Sequence, residues 1–109
     1  MNYKIELIQS FRKDVKKLSK KYKQIKKDLS TLKTTLSTNP PKEIGTSIGK
    51  NCFKIRLKNS DNQKGKSGGY RVIYFYIDGD IITLLSIYSK SEIENISENE
   101  VIERLKEIC

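Results

Sequence analysis

The sequence contains no histidine and only two cysteines among its 109 residues. Without histidine, a Ser-His-Asp triad, a histidine-ligated metal site and a histidine-based ribonuclease mechanism are all excluded. Cys52 and Cys109 are too few and too far apart in sequence to form a disulfide framework or a zinc site by their spacing, so we expect both to be reduced and incidental. Any chemistry is therefore expected to rely on other side chains and to need no metal or other cofactor.

Long apolar runs are also missing. No stretch approaches the roughly 18 apolar residues that a membrane span needs, and the N-terminal residues MNYKIELIQSF lack the apolar core of a signal peptide. We therefore expect a cytoplasmic protein with no membrane partner. A length of 109 residues, of which 36% are hydrophobic, suits one small domain that comprises residues 1–109.

Acidic residues are few compared with basic ones. Twenty-two Lys and Arg against thirteen Asp and Glu give a formal net charge of +9. Such a charge indicates a polyanionic partner, and nucleic acid is the first candidate. An anionic membrane or an acidic protein would satisfy the same charge, so the charge indicates a class of partner and no particular reaction.

Hydrophobic patterning in the first half of the chain predicts a strand followed by helix. Residues 3–8 alternate as in a strand, and over residues 11–36 apolar side chains recur every three or four positions, as on an amphipathic helix. This region could be one long helix or two helices folded back near Tyr22, because no glycine or proline marks a break. Residues 39–41 end it, and a polar loop to about Asn51 is expected to follow.

The second half of the chain predicts three strands and a terminal helix. Residues 52–58 and 70–77 have the alternation and the β-branched and aromatic content of strands. Asp78-Gly79 predicts a type I′ hairpin in which residues 70–77 pair antiparallel with residues 80–88. The acidic C-terminal residues have the spaced apolar side chains of a short or broken helix. Together these elements predict an α+β fold with a four-stranded, mainly antiparallel sheet that helices cover on one face.

Side-chain alternation gathers cations on the other face of that sheet. In CFKIRLK, packing the apolar residues against the helices places the cations on the opposite, open face. The next two strands can add polar side chains to this face, so that three strands converge on one cationic groove. Alternatively, these cations merely keep an exposed sheet face hydrated. The residues concerned are Lys54, Arg56 and Lys58 on the first of the three strands, Arg71 on the next, and Tyr88 and Lys90 on the last.

A second group of cations lies on the predicted helices, where Asp14 is their one close acidic neighbour. Such residues commonly form a solvated helix face, and the functional alternative is a platform for the phosphates of ribosomal RNA. The group comprises Arg12, Lys13, Lys16, Lys17, Lys20, Lys21, Lys23, Lys26 and Lys27.

The segments CFKIRL and GKSGGYRVIYFYIDGDIITLLSIYSKSEIENIS resemble the RelE/ParE superfamily of type II toxins. GKSGGYRVIY and YSKSEIENIS are especially similar to its HigB-like branch, and the resemblance extends over essentially the whole chain. It implies a RelE-like fold, with an N-terminal helical hairpin on one face of the sheet and a short C-terminal helix. It therefore favours two helices over one in the N-terminal region.

The resemblance also implies a function. Relatives of the RelE kind enter the ribosomal A site and cleave mRNA with basic residues on the open sheet face, and the partners implied are the ribosome, mRNA and a cognate antitoxin that binds DNA. The C-terminal tyrosine that some relatives use has no clear counterpart here, so the general acid and base stay open. By position, the implied catalytic residues are Lys54, Arg56, Arg71 and Lys90, and we add Lys58, Lys66 and Tyr88 as candidates for substrate binding.

A mechanism without histidine or metal can be written for these residues. RNA cleavage requires deprotonation of the 2′-hydroxyl, stabilisation of the charge on the pentavalent phosphorane and protonation of the departing 5′-oxygen. Arginine stays protonated, so Arg56 and Arg71 can hold the phosphate but are poor bases. Our hypothesis makes Lys54 the base and Lys90 the acid, with Lys66 as a substitute for either.

Two other functions are compatible with the sequence. A ParE-like relative would share the fold and inhibit DNA gyrase without nuclease activity, although the retained cations argue against it. A non-catalytic RNA-binding module would bind RNA with a steep salt dependence and leave it intact. On induction in cells, rapid loss of translation would favour the ribonuclease, whereas DNA damage and filamentation would favour the gyrase inhibitor.

Overall fold

The computed structural model describes residues 3–61, 69–93 and 95–108. The α+β class predicted from the sequence is confirmed. Within these residues, no helix combines the length and the apolarity that a membrane crossing requires. The elements follow in the order β1 (Lys4–Leu7), α1 (Gln9–Ser19), α2 (Ile25–Thr38), α3 (Pro41–Ile44), β2 (Thr46–Gly49), β3 (Cys52–Leu57), β4 (Tyr70–Phe75), β5 (Ile81–Ser89) and α4 (Glu98–Leu105).

The described strands form one mixed sheet of five strands in the order β1-β5-β4-β3-β2. β1 pairs parallel with β5, and the other neighbours pair antiparallel. The prediction of four strands was therefore wrong by one. The additional strand is β2, which lies in a segment predicted to be a loop. All four of its residues are exposed, so no alternation of apolar and polar residues marked it as a strand.

A tight turn joins β2 to β3. Gly49, Lys50 and Asn51 have positive φ angles of 89°, 55° and 60°, and Gly49 pairs with Cys52 across the turn. Glycine adopts this backbone without steric cost, and asparagine adopts it more readily than most residues. The Gly-Lys-Asn sequence therefore suits a hairpin turn, although the polar strand before it concealed the hairpin.

The N-terminal helical region consists of two helices, as the family resemblance implied. α1 ends at Ser19, α2 begins at Ile25, and the buried side chain of Tyr22 lies in the turn between them. The Tyr22 ring packs edge-on against the ring of Tyr70, with 5.6 Å between the ring centroids. Because this aromatic side chain reaches into the core from the turn, the chain folds back here without a glycine or a proline.

The hydrophobic core lies between this helical hairpin and one face of the sheet. The helices and the strands both contribute side chains that solvent does not reach. The largest of them include Phe11, Ile25, Leu32 and Leu36 from the hairpin and Tyr70, Tyr74, Ile82 and Leu84 from the sheet.

β4 and β5 pair antiparallel as predicted, but the predicted type I′ turn at Asp78-Gly79 was wrong. Residues 76–80 connect the two strands, and of the Asp-Gly pair only Gly79 has a positive φ, of 85°, whereas a type I′ turn requires it at both positions. Tyr76 contacts both sides of this connection. Its amide donates to the Asn51 carbonyl at 3.0 Å, which continues the pairing with β3, and its hydroxyl donates to the Gly79 carbonyl at 2.9 Å.

The predicted terminal helix is confirmed as α4. The Ser97 hydroxyl accepts a hydrogen bond from the Glu100 amide at 3.1 Å and caps the helix at its start. Ile96 and Val101 line a cleft together with Ile73 of β4. The C-terminal segment, residues 95–108, therefore covers part of the sheet face that points away from the helical hairpin.

Candidate active site

On the face away from the helical hairpin, a row of three polar side chains crosses β3, β4 and β5. Arg56 lies opposite Arg71, and Arg71 lies opposite Tyr88. In the neighbouring row, Lys54 lies opposite Ile73. Residues directly opposite each other in antiparallel strands share a face, with their Cβ atoms about 4.5–5.5 Å apart. The register thus brings four of the predicted site residues together, and we call Arg56, Arg71 and Tyr88 the arginine row.

The arginine row does not stabilise the sheet electrostatically, because like charges directly opposite each other repel. Among the carboxylates that the structure describes, none lies within ion-pair distance of Arg56 or Arg71. Arg71 is only 8% exposed, and its Nη1 donates to the carbonyl of the preceding residue, Tyr70, at 3.2 Å. Burying a cation without a counter-ion is costly. The row therefore has the character of a site for an anionic ligand.

Tyr88 contributes a buried hydroxyl to the row. Its side chain is 4% exposed, and the hydroxyl has no hydrogen-bond partner among the residues that the structure describes. Burial raises the pKa of Tyr88, while the positive charge of Arg71 acts in the opposite direction. A phenol that stays protonated next to a guanidinium can donate a hydrogen bond to a phosphate or ribose oxygen.

Two half-buried lysines flank the row. Lys54 lies two positions before the arginine of the same strand, and its Nζ donates to Oδ1 of Asn95 at 3.1 Å. Lys90 lies two positions after Tyr88, just beyond the end of β5, and its backbone amide donates to the Gly69 carbonyl at 3.0 Å. Residues two positions apart in a strand are separated by about 7 Å, so both lysines are close neighbours of the row.

The structure describes one of the other two residues predicted to bind substrate. Lys58 is exposed and is the first residue after β3, where it stands at the margin of the cationic face. Lys66 lies outside the described residues. Of the two that the structure describes, Tyr88 is therefore the one that the register joins to the arginines.

The predicted open groove is partly covered. Asn95 contacts Lys54, and Ile96 lines a second cleft together with Tyr88. Arg71 and Tyr88 are consequently buried, although alternation in the sequence placed them on an open face. Asn95 belongs to the candidate site but was missed from the sequence, because nothing in the local pattern of a polar loop indicates which strand it contacts.

A hydrogen-bonded ion pair fixes α4 to α1 beside the row. Arg104 donates from Nη1 and Nη2 to the Asp14 carboxylate at 2.6 and 3.1 Å, and from Nη1 to the Leu85 carbonyl at 2.8 Å. Asp14 also accepts from the Ile87 amide at 3.2 Å. β1 pairs with β5 only as far as Leu84, so these two side chains satisfy the strand edge that β1 leaves uncovered. We call this arrangement the Asp14–Arg104 corner, and its one signal in the sequence is an isolated acid among the cations of α1.

The second group of cations forms an exposed surface on the helical hairpin. Lys21 makes an ion pair with Glu92 at 3.4 Å, and both side chains are largely accessible to solvent, so the pair contributes little to stability. The exposed members are Arg12, Lys13, Lys16, Lys17, Lys20, Lys21, Lys23, Lys26 and Lys27.

Metal ligation and thiol chemistry find little support in these side chains. Within residues 3–61, 69–93 and 95–108, no group of three or more Cys, Asp or Glu side chains could hold a metal ion. Cys52 is buried, and burial raises the pKa of its thiol to about 11. At neutral pH this thiol is protonated and is therefore a poor nucleophile.

The structure is similar to a solved structure of the E. coli toxin RelE in the free state, in a mutant with two arginine-to-alanine substitutions. The two structures match with a TM-score of 0.62 at 21% sequence identity, over 100% of each chain. At this identity the match shows that the protein has a RelE-like fold. A family model described as the RelE toxin of the RelE/RelB toxin-antitoxin system matches residues 8–109. The chain therefore belongs to the RelE family of toxins. Comparison with curated proteins gave no match.

Proposed function

We propose that this protein is the toxin of a type II toxin-antitoxin system and a metal-independent endoribonuclease that cleaves mRNA in the ribosomal A site and so inhibits translation. The observation that carries the proposal is the position of Arg56 opposite Arg71, with Lys54 and Lys90 as neighbours and no described carboxylate paired with either arginine. A phosphodiester fits this arrangement, because guanidinium groups bind phosphate oxygens in bidentate geometry.

In the proposed reaction, the ribose 2′-oxygen attacks the adjacent phosphorus and the bond from phosphorus to the 5′-oxygen breaks. The products are a 2′,3′-cyclic phosphate and a 5′-hydroxyl. Lys54 removes the proton of the 2′-hydroxyl and Lys90 protonates the departing oxygen. Arg56 and Arg71 stabilise the charge that develops on the phosphorane oxygens, and the Tyr88 hydroxyl donates a further hydrogen bond.

The position of Lys54 supports its assignment as the base. Its Nζ donates to Oδ1 of Asn95, and among the described carboxylates none forms an ion pair with Lys54. Arg56 lies two positions further along the same strand and on the same face, so a phosphate bound by Arg56 would lie close to the Lys54 amine.

The arginine row accounts for the binding of a phosphate but not for the alignment of the reacting atoms. Its cations can bind a phosphate, but little in it would align the 2′-oxygen with the scissile bond, and alignment is a large part of catalysis. We propose that the ribosome supplies this alignment. The exposed cations of α1 and α2 would then bind ribosomal RNA phosphates without regard to sequence.

The proposed activity also implies a partner and a location. A cognate, DNA-binding antitoxin with an acidic segment would complement the net charge of +9 and block the arginine row. Translated mRNA lies in the cytoplasm, where we place the protein. The segments GKSGGYRVIY and YSKSEIENIS support its assignment to the HigB-like branch of the family.

Primer extension on a defined message tests the proposal. Purified protein is added to the message alone and to the same message on programmed ribosomes, and we expect cuts that follow the reading frame in the second sample and intact RNA in the first. Equal cutting of naked RNA would reject ribosome dependence. Intact RNA in both samples, together with inhibition of gyrase, would reject the ribonuclease. Rescue by Mn²⁺ of a message with sulfur in place of a scissile phosphate oxygen would contradict metal independence.

A further inference from the structure

A cleft of about 530 Å³ opens next to Lys54. Its lining includes Lys50 of the β2–β3 turn, Ile73 of β4, Asn95, which precedes α4, and Glu98, the first residue of α4. This volume lies within the range of about 300–1,000 Å³ that is typical of small-ligand sites. The cleft is therefore large enough for a nucleobase and its ribose.

Roughly half of the cleft lining is apolar. Ile48, Ile73, Ile96 and Val101 line it, and Ile48 is 40% exposed although it is a large hydrophobic residue. A planar ring that packs against these side chains would remove apolar surface from water. Ligand sites commonly combine such a lining with a few polar groups that fix orientation, and the rim of this cleft carries those groups.

Two side chains on the rim can form hydrogen bonds with a ligand. Glu98 makes no ion pair with any residue that the structure describes, so its carboxylate can accept hydrogen bonds. Asn95 accepts from Lys54 through Oδ1, which leaves the hydrogens of its Nδ2 able to donate. An acidic residue in the first turn of α4 also suits the helix dipole. The helix dipole favours an acidic residue at this position whether or not a cleft lies beside it.

We infer that the cleft binds a nucleobase adjacent to the scissile phosphate, and that Glu98 selects bases with an exocyclic amino group. The inference rests on the proposed function, because Lys54 belongs both to the cleft and to the candidate active site. An RNA whose phosphate is held by Lys54 and Arg56 would place a neighbouring base within reach of the cleft. Unpaired RNA bases are commonly recognised by hydrogen bonds to their Watson–Crick edges.

The chemistry of the bases predicts the selectivity. Adenine, cytosine and guanine each carry an exocyclic amino group that can donate to a carboxylate. Uracil has none, and its one donor on that edge, N3–H, is flanked by two carbonyl oxygens that a carboxylate repels. The Asn95 amide can donate to a ring nitrogen or a carbonyl of the same base. Uracil is therefore the base that we expect this cleft to disfavour.

The first test measures cleavage on ribosomes programmed with messages that differ only in the bases flanking the mapped cut. With uracil at the recognised position we expect cutting at least about fivefold slower than with the other three bases. In Glu98→Gln this ratio should fall towards one, because the glutamine amide can donate to uracil. Glu103→Gln makes the same charge change on an exposed part of α4, where Glu103 pairs with Lys106, and should keep the ratio of the unchanged protein.

Two outcomes of this test would overturn the inference. One is a set of rates that differ by less than about twofold among the four bases at both flanking positions, well below the discrimination that one good base contact provides. The other is a Glu98→Gln variant with the same preference as the unchanged protein. If the unchanged protein cuts no message on ribosomes, the proposed function fails, and the cleft is judged by a binding measurement.

That measurement is an NMR titration of the isolated protein with AMP, CMP, GMP and UMP. We expect AMP, CMP and GMP to shift the side-chain amide signals of Asn95 and the methyl signals of Ile73 more than UMP does, and we expect Glu98→Gln to remove the difference. The phosphate is common to all four nucleotides, so shifts at Arg56 and Arg71 should not depend on the base. Shifts confined to the arginines, or equal for all four nucleotides at Asn95, would contradict base selection.

Discussion

Two mostly buried arginines have opposite surroundings. Arg104, at the Asp14–Arg104 corner, donates to the carboxylates of Asp14 and Glu100 and to a backbone carbonyl. Arg71, in the arginine row, donates among the described residues to one backbone carbonyl and faces a second arginine across the strands. Both guanidinium groups are largely withdrawn from water, but among the residues that the structure describes only the first has carboxylate partners that balance its charge.

The difference separates stability from function. A buried guanidinium with carboxylate partners fixes elements to one another, and removal of either partner leaves an uncompensated charge. A buried guanidinium without such partners contributes little to the folded state, and it is available to a ligand. Changes at the corner should therefore affect unfolding more than cleavage, and changes in the row should do the reverse.

The largest expected effect is the loss of cleavage in Arg71→Ala. Removing one of the two groups that stabilise the phosphorane should lower the cutting rate on programmed ribosomes by about 100-fold or more. Arg71→Met, which retains most of the apolar stem, should lose as much activity while its free energy of unfolding in urea stays close to that of the unchanged protein. Undiminished growth arrest by either variant would show that the row is not the site of cleavage.

Lys54→Ala should come next, with a loss of roughly 100-fold in the cutting rate because the general base is removed. Lys4→Ala is the matched control, because Lys4 is also a strand lysine but lies exposed on β1, at the other edge of the sheet. Single-turnover cleavage separates the two variants. A control that loses as much activity as Lys54→Ala would indicate that net charge matters more than position.

Arg104→Met should destabilise the protein and leave the chemistry largely intact. The change leaves Asp14 without its counter-ion, and because the side chains of Arg104 and Asp14 keep 14% and 20% of their exposure, we expect a loss of about 2 kcal/mol, less than for a fully buried pair. Thermal unfolding followed by circular dichroism should show a Tm lower by roughly 10 °C. At low temperature, the cutting rate per folded molecule should stay within a few-fold of the unchanged protein. An unaltered Tm would refute the structural role of the corner.

The smallest expected effect is a pH-dependent one at the end of α4. The Glu107 carboxylate accepts from the Ser10 hydroxyl and, at 3.0 Å, from the Ser10 amide, and these bonds lower the pKa of Glu107 from its ordinary value of 4.5. A lowered pKa stabilises the folded state above the ordinary value, and this contribution is lost as the pH falls through the lowered one. Urea unfolding should therefore show Glu107→Gln to be slightly less stable at pH 7, with a difference that shrinks below pH 4.5. A difference that is constant from pH 7 to pH 3 would contradict this.

The sequence pattern alone predicted those helices and strands in which buried residues recur at regular intervals. The apolar stripe of α1 and α2 and the alternation in β3 both follow the core, so the sequence predicted them. The four exposed residues of β2 have no such pattern, and the strand was missed. The β4–β5 turn was mispredicted because β4 ends at Phe75 and the Tyr76 hydroxyl bonds to the Gly79 carbonyl, a contact that the Asp-Gly rule does not consider.

For the candidate site, the alternation of apolar and polar residues predicted which side chains share a face of the sheet. It did not predict that the C-terminal segment covers part of that face. Arg56, Arg71 and Tyr88 are brought together by strand register, which alternation largely determines. The cover arises from contacts between residues far apart in the chain. Lys54 and Asn95 are 41 positions apart and Asp14 and Arg104 are 90 apart, and no short-range rule links such pairs.

The Asp14–Arg104 corner also affects whether the edge of β5 can pair with another chain. A bare edge offers its amides and carbonyls to any extended chain, including another copy of the same protein. Asp14 and Arg104 occupy the Ile87 amide and the Leu85 carbonyl, which β1 does not reach. A molecule truncated before α4 would lose the Arg104 contact and leave the Leu85 carbonyl free to pair with another chain. By occupying this carbonyl, α4 helps to prevent the strand edge from pairing with another copy of the protein, and it also covers part of the cationic face.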